Sequence, residues 1–277
     1  MLRLVSIQMN GTTLGSEHEF TLLETIMNIP RTMLERISRG RILQRRLPAE
    51  FGSAPIVVSP DAGLRFWKTQ LRSDLFDFAA EFVKPGSVVW DVGANVGLFS
   101  VAAAHRAEAS GKVIAVEADI WLVSLLRKSA AIQPPTSARI QVIPAAAFDS
   151  QTIASFNIAN RGRASNFLSL SGGHTQTGGV RETVSVLSFT LDWLLEQVSA
   201  PHILKIDVEG AECNVLRGAQ RVLSEAQPVI LIEVSEKSRD EVTELLVRLG
   251  YTLFDWDACP RVQVDRAEFN TLAIPNN

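Results

Sequence analysis

The chain predicts an α/β fold built on a mostly parallel sheet with helices on both faces, and three features of its 277 residues point there. From Ser87 onward, short aliphatic runs alternate with helix-length amphipathic segments, the pattern of strands joined by crossover helices. The runs are apolar throughout rather than alternating in polarity, as strands covered on both faces require. At 46% hydrophobic and 21% charged, the chain also carries enough apolar material for a sizeable core.

Taken in order, the first part of the chain is the least regular. Glu17–Asn28 and Arg31–Arg46 predict helices, and Pro55–Val58 with Leu64–Lys68, flanking Pro60-Asp61-Ala62-Gly63, predict a hairpin. Arg31–Arg46 holds six arginines against one glutamate, read as a solvated face, with a docking surface for an acidic substrate or partner as the alternative. The regular pattern begins near residue 85. Its strands are Ser87–Asp91, Lys112–Glu117, Ile140–Pro144, His202–Asp207 and Pro228–Val234, each rich in β-branched or aliphatic residues. Between them Leu98–Ala107, Asp119–Ala131, Ala211–Glu225 and Ser238–Leu249 predict helices. In the last, Ser238 and Glu241 form an S-x-x-E capping box and Gly250 closes the end. Tyr251–Trp256 and Asn270–Pro275 predict two further strands. The link between them lacks a helical pattern, so an antiparallel edge hairpin is expected. Asn160–Thr183, glycine-rich and without periodicity, reads as a loop that covers substrate.

Composition excludes several classes. A net charge of -3 and pI of 5.9 argue against a general nucleic-acid binder. Cys213 and Cys259 are the only cysteines and form no CxxC pair, which excludes a disulfide scaffold or cysteine-based zinc site and fits a reducing compartment. No apolar run approaches the ~20 residues of a membrane helix, and the opening segment lacks a secretory pattern. A cytoplasmic protein is expected.

The chemical signal starts at Asp91-Val92-Gly93-Ala94-Asn95-Val96-Gly97, where a strand hands over to a helix, the place at which open α/β sheets bind ligands. The segment is not the G-x-G-x-x-G of dinucleotide sites, and Asp91 would repel a pyrophosphate but favour an ammonium such as that of S-adenosylmethionine. Glu117 ends the second strand, where an acid accepts hydrogen bonds from ribose hydroxyls. Asp207 and Glu233 end two more strands, so four carboxylates mark one edge of the sheet as a polar cleft. Lys205, Asp207 and Glu209 alternate with Ile206 and Val208 and project to one side of the chain for as long as the strand persists. The same acids are also of the kind that hold magnesium, an alternative to a metal-free site. A nicotinamide-dependent oxidoreductase and a cofactor-binding scaffold without turnover are the other readings. Among the four histidines, only His174 is a substrate-side candidate; His18, His105 and His202 are not, and Trp67 and Trp90 read as packing residues.

Val89–Ser100 (VWDVGANVGLFS), Lys205–Leu216 (KIDVEGAECNVL) with Arg217-Gly218-Ala219, Ser188–Leu195 (SFTLDWLL) and Asn270–Pro275 (NTLAIP) together resemble the FkbM-type methyltransferases. The resemblance covers roughly residues 62–275. It implies a class I, Rossmann-like enzyme with a seven-stranded sheet that moves a methyl group from S-adenosylmethionine to a hydroxyl of a natural product, sugar or glycan. By the same resemblance, Asp91, Gly93, Ala94, Asn95 and Gly97 form the loop around the methionine end, and Glu117 holds the ribose. Ala118 stands where the family often has proline, beside the adenine. Ala145–Ser150 (AAAFDS) matches the exit of the third strand, where a backbone amide or Asp149 would meet the adenine edge. Asp207 lies nearest the transferred methyl, with Lys205, Glu209 and Glu212 around it. Asp207 or Glu209 is expected as general base, with Lys205 holding their charge state or orienting the acceptor. The implied organisation is an N-terminal helical and hairpin extension over residues 1–70 and a methyltransferase domain over residues 71–277. A small-molecule or glycan hydroxyl acceptor is expected, with no nucleic acid and no metal.

Overall fold

The structure is a computed structural model that describes residues 31–169 and 178–276. The expected Glu17–Asn28 helix, His18 and His174 lie outside the described residues. The described chain opens with helix α1 (Arg31–Ser38), followed by an antiparallel hairpin of β1 (Leu43–Arg46) and β2 (Pro55–Val58). The single helix expected over Arg31–Arg46 is therefore only half realised. Gly40 turns the chain at φ +68°, and beyond it Leu43–Arg46 alternates half-buried and exposed residues with the period of a strand. The hairpin expected between Pro55–Val58 and Leu64–Lys68 is likewise corrected: β2 pairs with β1, and Leu64–Trp67 is a 3-10 turn that drops Phe66 into the core.

Helix α2 (Asp74–Phe82), capped by the Ser73 hydroxyl, leads into β3 (Val88–Val92), α3 (Leu98–Ala107), β4 (Lys112–Glu117), α4 (Ile120–Ala131) and β5 (Arg139–Pro144). Next come β6 (Ala146–Ala147), β7 (Thr152–Ala159), β8 (Phe167–Leu168) and β9 (Val180–Phe189), which make a second, four-stranded sheet in the order β6-β9-β7-β8. The chain then returns through α5 (Leu191–Leu195), β10 (Ile203–Ile206), α6 (Glu212–Arg217), β11 (Val229–Glu233), α7 (Arg239–Arg248), β12 (Tyr251–Asp255), β13 (Val262–Val264) and β14 (Asn270–Pro275).

The large sheet runs β13-β12-β14-β11-β10-β3-β4-β5, with β11, β10, β3, β4 and β5 parallel. It is the expected mostly parallel, Rossmann-like sheet with β13 added at the edge. The C-terminal pair is antiparallel as expected but is not an edge hairpin: β14 inserts between β11 and β12. Its burial gives the reason. Thr271, Leu272 and Ala273 are fully buried, which an interior position satisfies, whereas Val262 and Gln263 of β13 are exposed as an edge tolerates.

Alternate residues of each parallel strand feed opposite cores. Val89, Val113, Ala115, Ile203 and Leu231 pack with α2, α3 and α4, while Trp90, Ile114, Leu204, Ile230 and Ile232 pack with α6 and α7. The first core also contains Leu47, Phe51, Ile56, Val58 and Phe66 from the N-terminal segment. Trp90 is fully buried and donates to the Ser199 carbonyl at 3.1 Å, a packing role as read from the sequence. His105 is partly covered by Phe51 and Gly52 rather than presented on an open helix face.

Two helix expectations change. Ala211–Glu225 is not one helix, because α6 stops at Gly218, where a Cβ would stand 2.3 Å from the Phe148 carbonyl oxygen; a separate π-turn covers Val222–Ala226. Ser238 precedes α7, but its hydroxyl donates to Glu212 at 2.7 Å instead of capping the helix, so the capping box does not form. Gly250 closes α7 at φ +83° as expected.

Candidate active site

Because β11, β10, β3 and β4 are neighbours in that order, Glu233, Asp207, Asp91 and Glu117 come together at the carboxyl edge of the sheet, as their positions in the sequence predict. Asp91 and Lys205 are register partners on β3 and β10. Asp91 is fully buried and lies beneath the surface of the cleft: Ser100 Oγ donates to its Oδ2 at 2.5 Å, and Lys205 Nζ stands 3.2 Å from its Oδ1. The same ammonium lies 3.2 Å from Asp207 Oδ2 and donates to the Gly93 carbonyl at 2.8 Å. Burial alone would lower the Lys205 pKa, but the charges of Asp207 and Asp91 outweigh it and hold it up at about 12. Lys205 therefore stays charged and ties the end of β3 to the end of β10. The Asp207 side chain is 39% exposed and faces the cleft.

Gly93 is required by that closeness. It adopts φ +75°, and a Cβ would stand 1.9 Å from the Asp207 carbonyl oxygen. The turn continues through Asn95 at φ +53°, whose amide nitrogen donates to Glu117 Oε2 at 2.7 Å. The Asp119 amide donates to Glu117 Oε1 at 2.8 Å. Both carboxylate oxygens are thus oriented by main chain and retain further lone pairs for a ligand. Burial pushes Glu117 up to about 7 despite these two amides, which favour its charged form.

Two cavities meet at this edge. The first, about 630 Å³ with its open mouth, is lined by Gly93, Asn95, Glu117, Ala118 and Asp207, with an apolar slot of Ala145, Ala146, Ala147, Phe156 and Leu168. The second, about 920 Å³ with its open mouth, is lined by Ala62–Arg65, Leu75, Asn95, Lys205, Asp207, Glu209 and Glu233. Asn95, Ala164, Asp207 and Glu209 belong to both. Burial, then repulsion from Asp207 and Glu212, pushes Glu209 up to about 7. Burial and the charges of Asp207 and Glu209 also raise Glu233.

Of the residues singled out in the sequence, Gly93, Asn95, Glu117, Ala118, Lys205, Asp207, Glu209 and Glu233 line one cavity or the other. Ala94 lines the second, and Gly97 starts α3 against Leu126. Asp149 lines neither: its carboxylate accepts from Asn214 Nδ2 and from Ser150 Oγ. Glu212 is buried, bracing the loop after β10 by accepting from the Gly210 amide and the Ser235 and Ser238 hydroxyls. His202 accepts from the Val88 amide through Nδ1, a strand-end role. Sequence reading missed Phe156, Arg163, Asn166 and Leu168, which cover the first cavity. The β-branched alternation of Val180–Phe189 was the available signal for the second sheet that carries them. Among the described residues, no group of three or more His, Cys, Asp or Glu is placed to hold a metal ion.

The family described as Methyltransferase FkbM domain matches residues 91–253, more than half of the chain. The chain belongs to the FkbM methyltransferase family. It is an S-adenosylmethionine-dependent methyltransferase, as the sequence resemblance implied. No curated protein sequence gives a match. Among solved structures, the FkbM methyltransferase from Methylobacillus flagellatus KT is similar at 16% identity and a TM-score of 0.46, over 91% of this chain and 60% of that one. The chain thus corresponds to less than two thirds of that protein. Aeropyrum pernix fibrillarin, solved with natively bound S-adenosyl-L-methionine, is similar at 14% identity and a TM-score of 0.41, over 85% of each chain. Precorrin-6y C5,15-methyltransferase from Geobacter metallireducens GS-15 gives 12% identity and a TM-score of 0.41, over 72% of this chain and 83% of that one.

The first cavity fits the cofactor of an FkbM methyltransferase. Its apolar slot suits a purine, and Glu117 offers oriented acceptors to paired hydroxyls. Its acids, Glu117, Asp207 and Glu209, face a single cation, Arg163, which is itself paired with Asp119 and Asp61. That balance favours a sulfonium and an ammonium over a pyrophosphate. No helix among the described residues is long and apolar enough to cross a membrane.

Proposed function

We propose that this FkbM methyltransferase methylates a hydroxyl oxygen of a small molecule, sugar or glycan, with Glu209 as the general base. The observation that carries this reading is the second cavity. It opens onto the first at Asp207 and Glu209, and it holds a carboxylate whose pKa of about 7 suits proton transfer near neutral pH. When bound, S-adenosylmethionine supplies a methyl carbon already activated by its sulfonium. The chain then has to align the acceptor, exclude water and remove one proton. In this proposal Asn95 and Glu117 fix the depth of the cofactor, and the apolar slot excludes water around the purine. Lys205 holds Asp207 in place, and Asp207 borders the methyl. Glu209 accepts the hydroxyl proton as the oxygen attacks.

The second cavity sets Asp207, Glu209 and Glu233 against Lys205 and Arg65, a near balance of charge that supports a neutral acceptor. The test is formation of S-adenosylhomocysteine with a panel of sugar and polyketide alcohols beside their amine and short oligonucleotide counterparts. Turnover confined to the alcohols is the expected result, and turnover confined to amines or oligonucleotides overturns the assignment.

A further inference from the structure

Of the residues that cover the first cavity, Phe156 stands on β7, whereas Arg163, Asn166 and Leu168 stand on a three-residue 3-10 turn (Arg163–Ser165), the residue after it and the two-residue strand β8, little local structure to hold them in place. What holds them comes from elsewhere. The Arg163 guanidinium donates to Asp119 Oδ2, reaches Asp61 Oδ2 at 3.4 Å and lies 4.8 Å above the Trp121 ring. The Arg163 amide donates to the Asp61 carbonyl at 2.8 Å. Asn166 Nδ2 donates to the same Asp119 oxygen at 2.8 Å, while the other oxygen of Asp119 caps α4 through the amides of Trp121 and Leu122. Arg181 on β9 grips both oxygens of Asp61 at 3.0–3.3 Å.

These groups are nearly buried, with Asp61 5% and Asp119 3% exposed. Removing one partner would leave an unmatched charge in a low-dielectric site. Asp119 lies two residues beyond Glu117, and Asp61 immediately precedes Ala62–Arg65 in the wall of the second cavity. Asp61 itself lines neither cavity.

We infer that Arg163 and Asp61 form a clasp that closes the cofactor cavity, with Asp61 a positioning residue acting through Arg163 from the acceptor-side wall. The inference rests on the proposed roles of the two cavities.

The test is titration calorimetry with S-adenosylhomocysteine on the wild-type chain, Asp61→Asn, Arg163→Ala and the double variant, each with a thermal melt. Asp61→Asn is expected to weaken binding about 10-fold although it touches no ligand, and Arg163→Ala at least as much. The double variant is expected to be no weaker than Arg163→Ala alone, since one acts through the other. Arg163→Lys, which keeps the charge without the planar fork, should recover part of the affinity and serves if the alanine variant does not fold. Lower melting temperatures with unchanged affinity, or losses that multiply in the double variant, overturn the clasp. Wild-type protein that binds neither S-adenosylhomocysteine nor S-adenosylmethionine refutes the assignment of the cavity itself, and the clasp falls with it.

Discussion

The two cavities that share Asp207 are built on different principles. On the cofactor side, polar geometry is set by backbone: Glu117 is aimed by the amides of Asn95 and Asp119, within a turn fixed by Gly93. In the second cavity, the proposed acceptor side, Lys205, Asp207, Glu209 and Glu233 from β10, β11 and the loop after β10 meet Ala62–Arg65 and Leu75, brought from far away in the chain. On the proposed assignment of the two cavities, the cofactor is held by main-chain geometry and the acceptor is selected by side chains and their mutual charges. Mutations on the first side should therefore act on affinity, and those on the second on turnover.

The largest expected effect breaks the comparison altogether. Gly93→Ala puts a methyl group 1.9 Å from the Asp207 carbonyl, prising β3 from β10 where the cavities join. A stability loss of about 4 kcal/mol or more and failure of both binding and turnover should appear in melts and assays. Glu209→Gln comes next, lowering kcat about 100- to 10,000-fold while the dissociation constant for S-adenosylhomocysteine stays within about threefold. In the wild-type enzyme, turnover should rise as the pH passes through about 7, where Glu209 loses its proton, and the variant should lack that rise. Equal damage to binding would mean that Glu209 serves the cofactor instead.

Glu117→Gln sharpens the contrast from the other side. A loss of about 10-fold in cofactor affinity with kcat at saturation nearly preserved is expected, measured by calorimetry and initial rates. A further expectation concerns stability against pH. The folded-state pKa of Glu117 is raised to about 7 from an ordinary 4.5, so the fold binds a proton that the unfolded chain releases earlier. Its contribution is fully present below about pH 4.5 and is lost as the pH rises through about 7, on the order of 3 kcal/mol. Thermal melts of the ligand-free protein should show a shallower decline between pH 5 and 8 in Glu117→Gln than in the wild type.

By itself the sequence determined the features that are local or periodic. The parallel strands, α3 and most of α4 follow from aliphatic runs and 3.6-residue spacing, and Asp91, Glu117, Asp207 and Glu233 could be placed at one edge because each ends such a run. The motif blocks then distinguished a methyl donor from a dinucleotide.

Tertiary structure alone decided the rest. That Asp91 sits beneath the cleft under Lys205, and that the Ser238 hydroxyl serves Glu212 instead of its own helix, depends on which partner lies nearer in space. The insertion of β14 beside β11 depends on the burial its two faces need. Arg163 meets Asp61 across 102 residues of chain, and no sequence pattern marks that pair. Hydrophobic periodicity records which face of an element is covered; it carries no information about which distant charge will complete a buried ion pair, because that choice is made only when the elements pack.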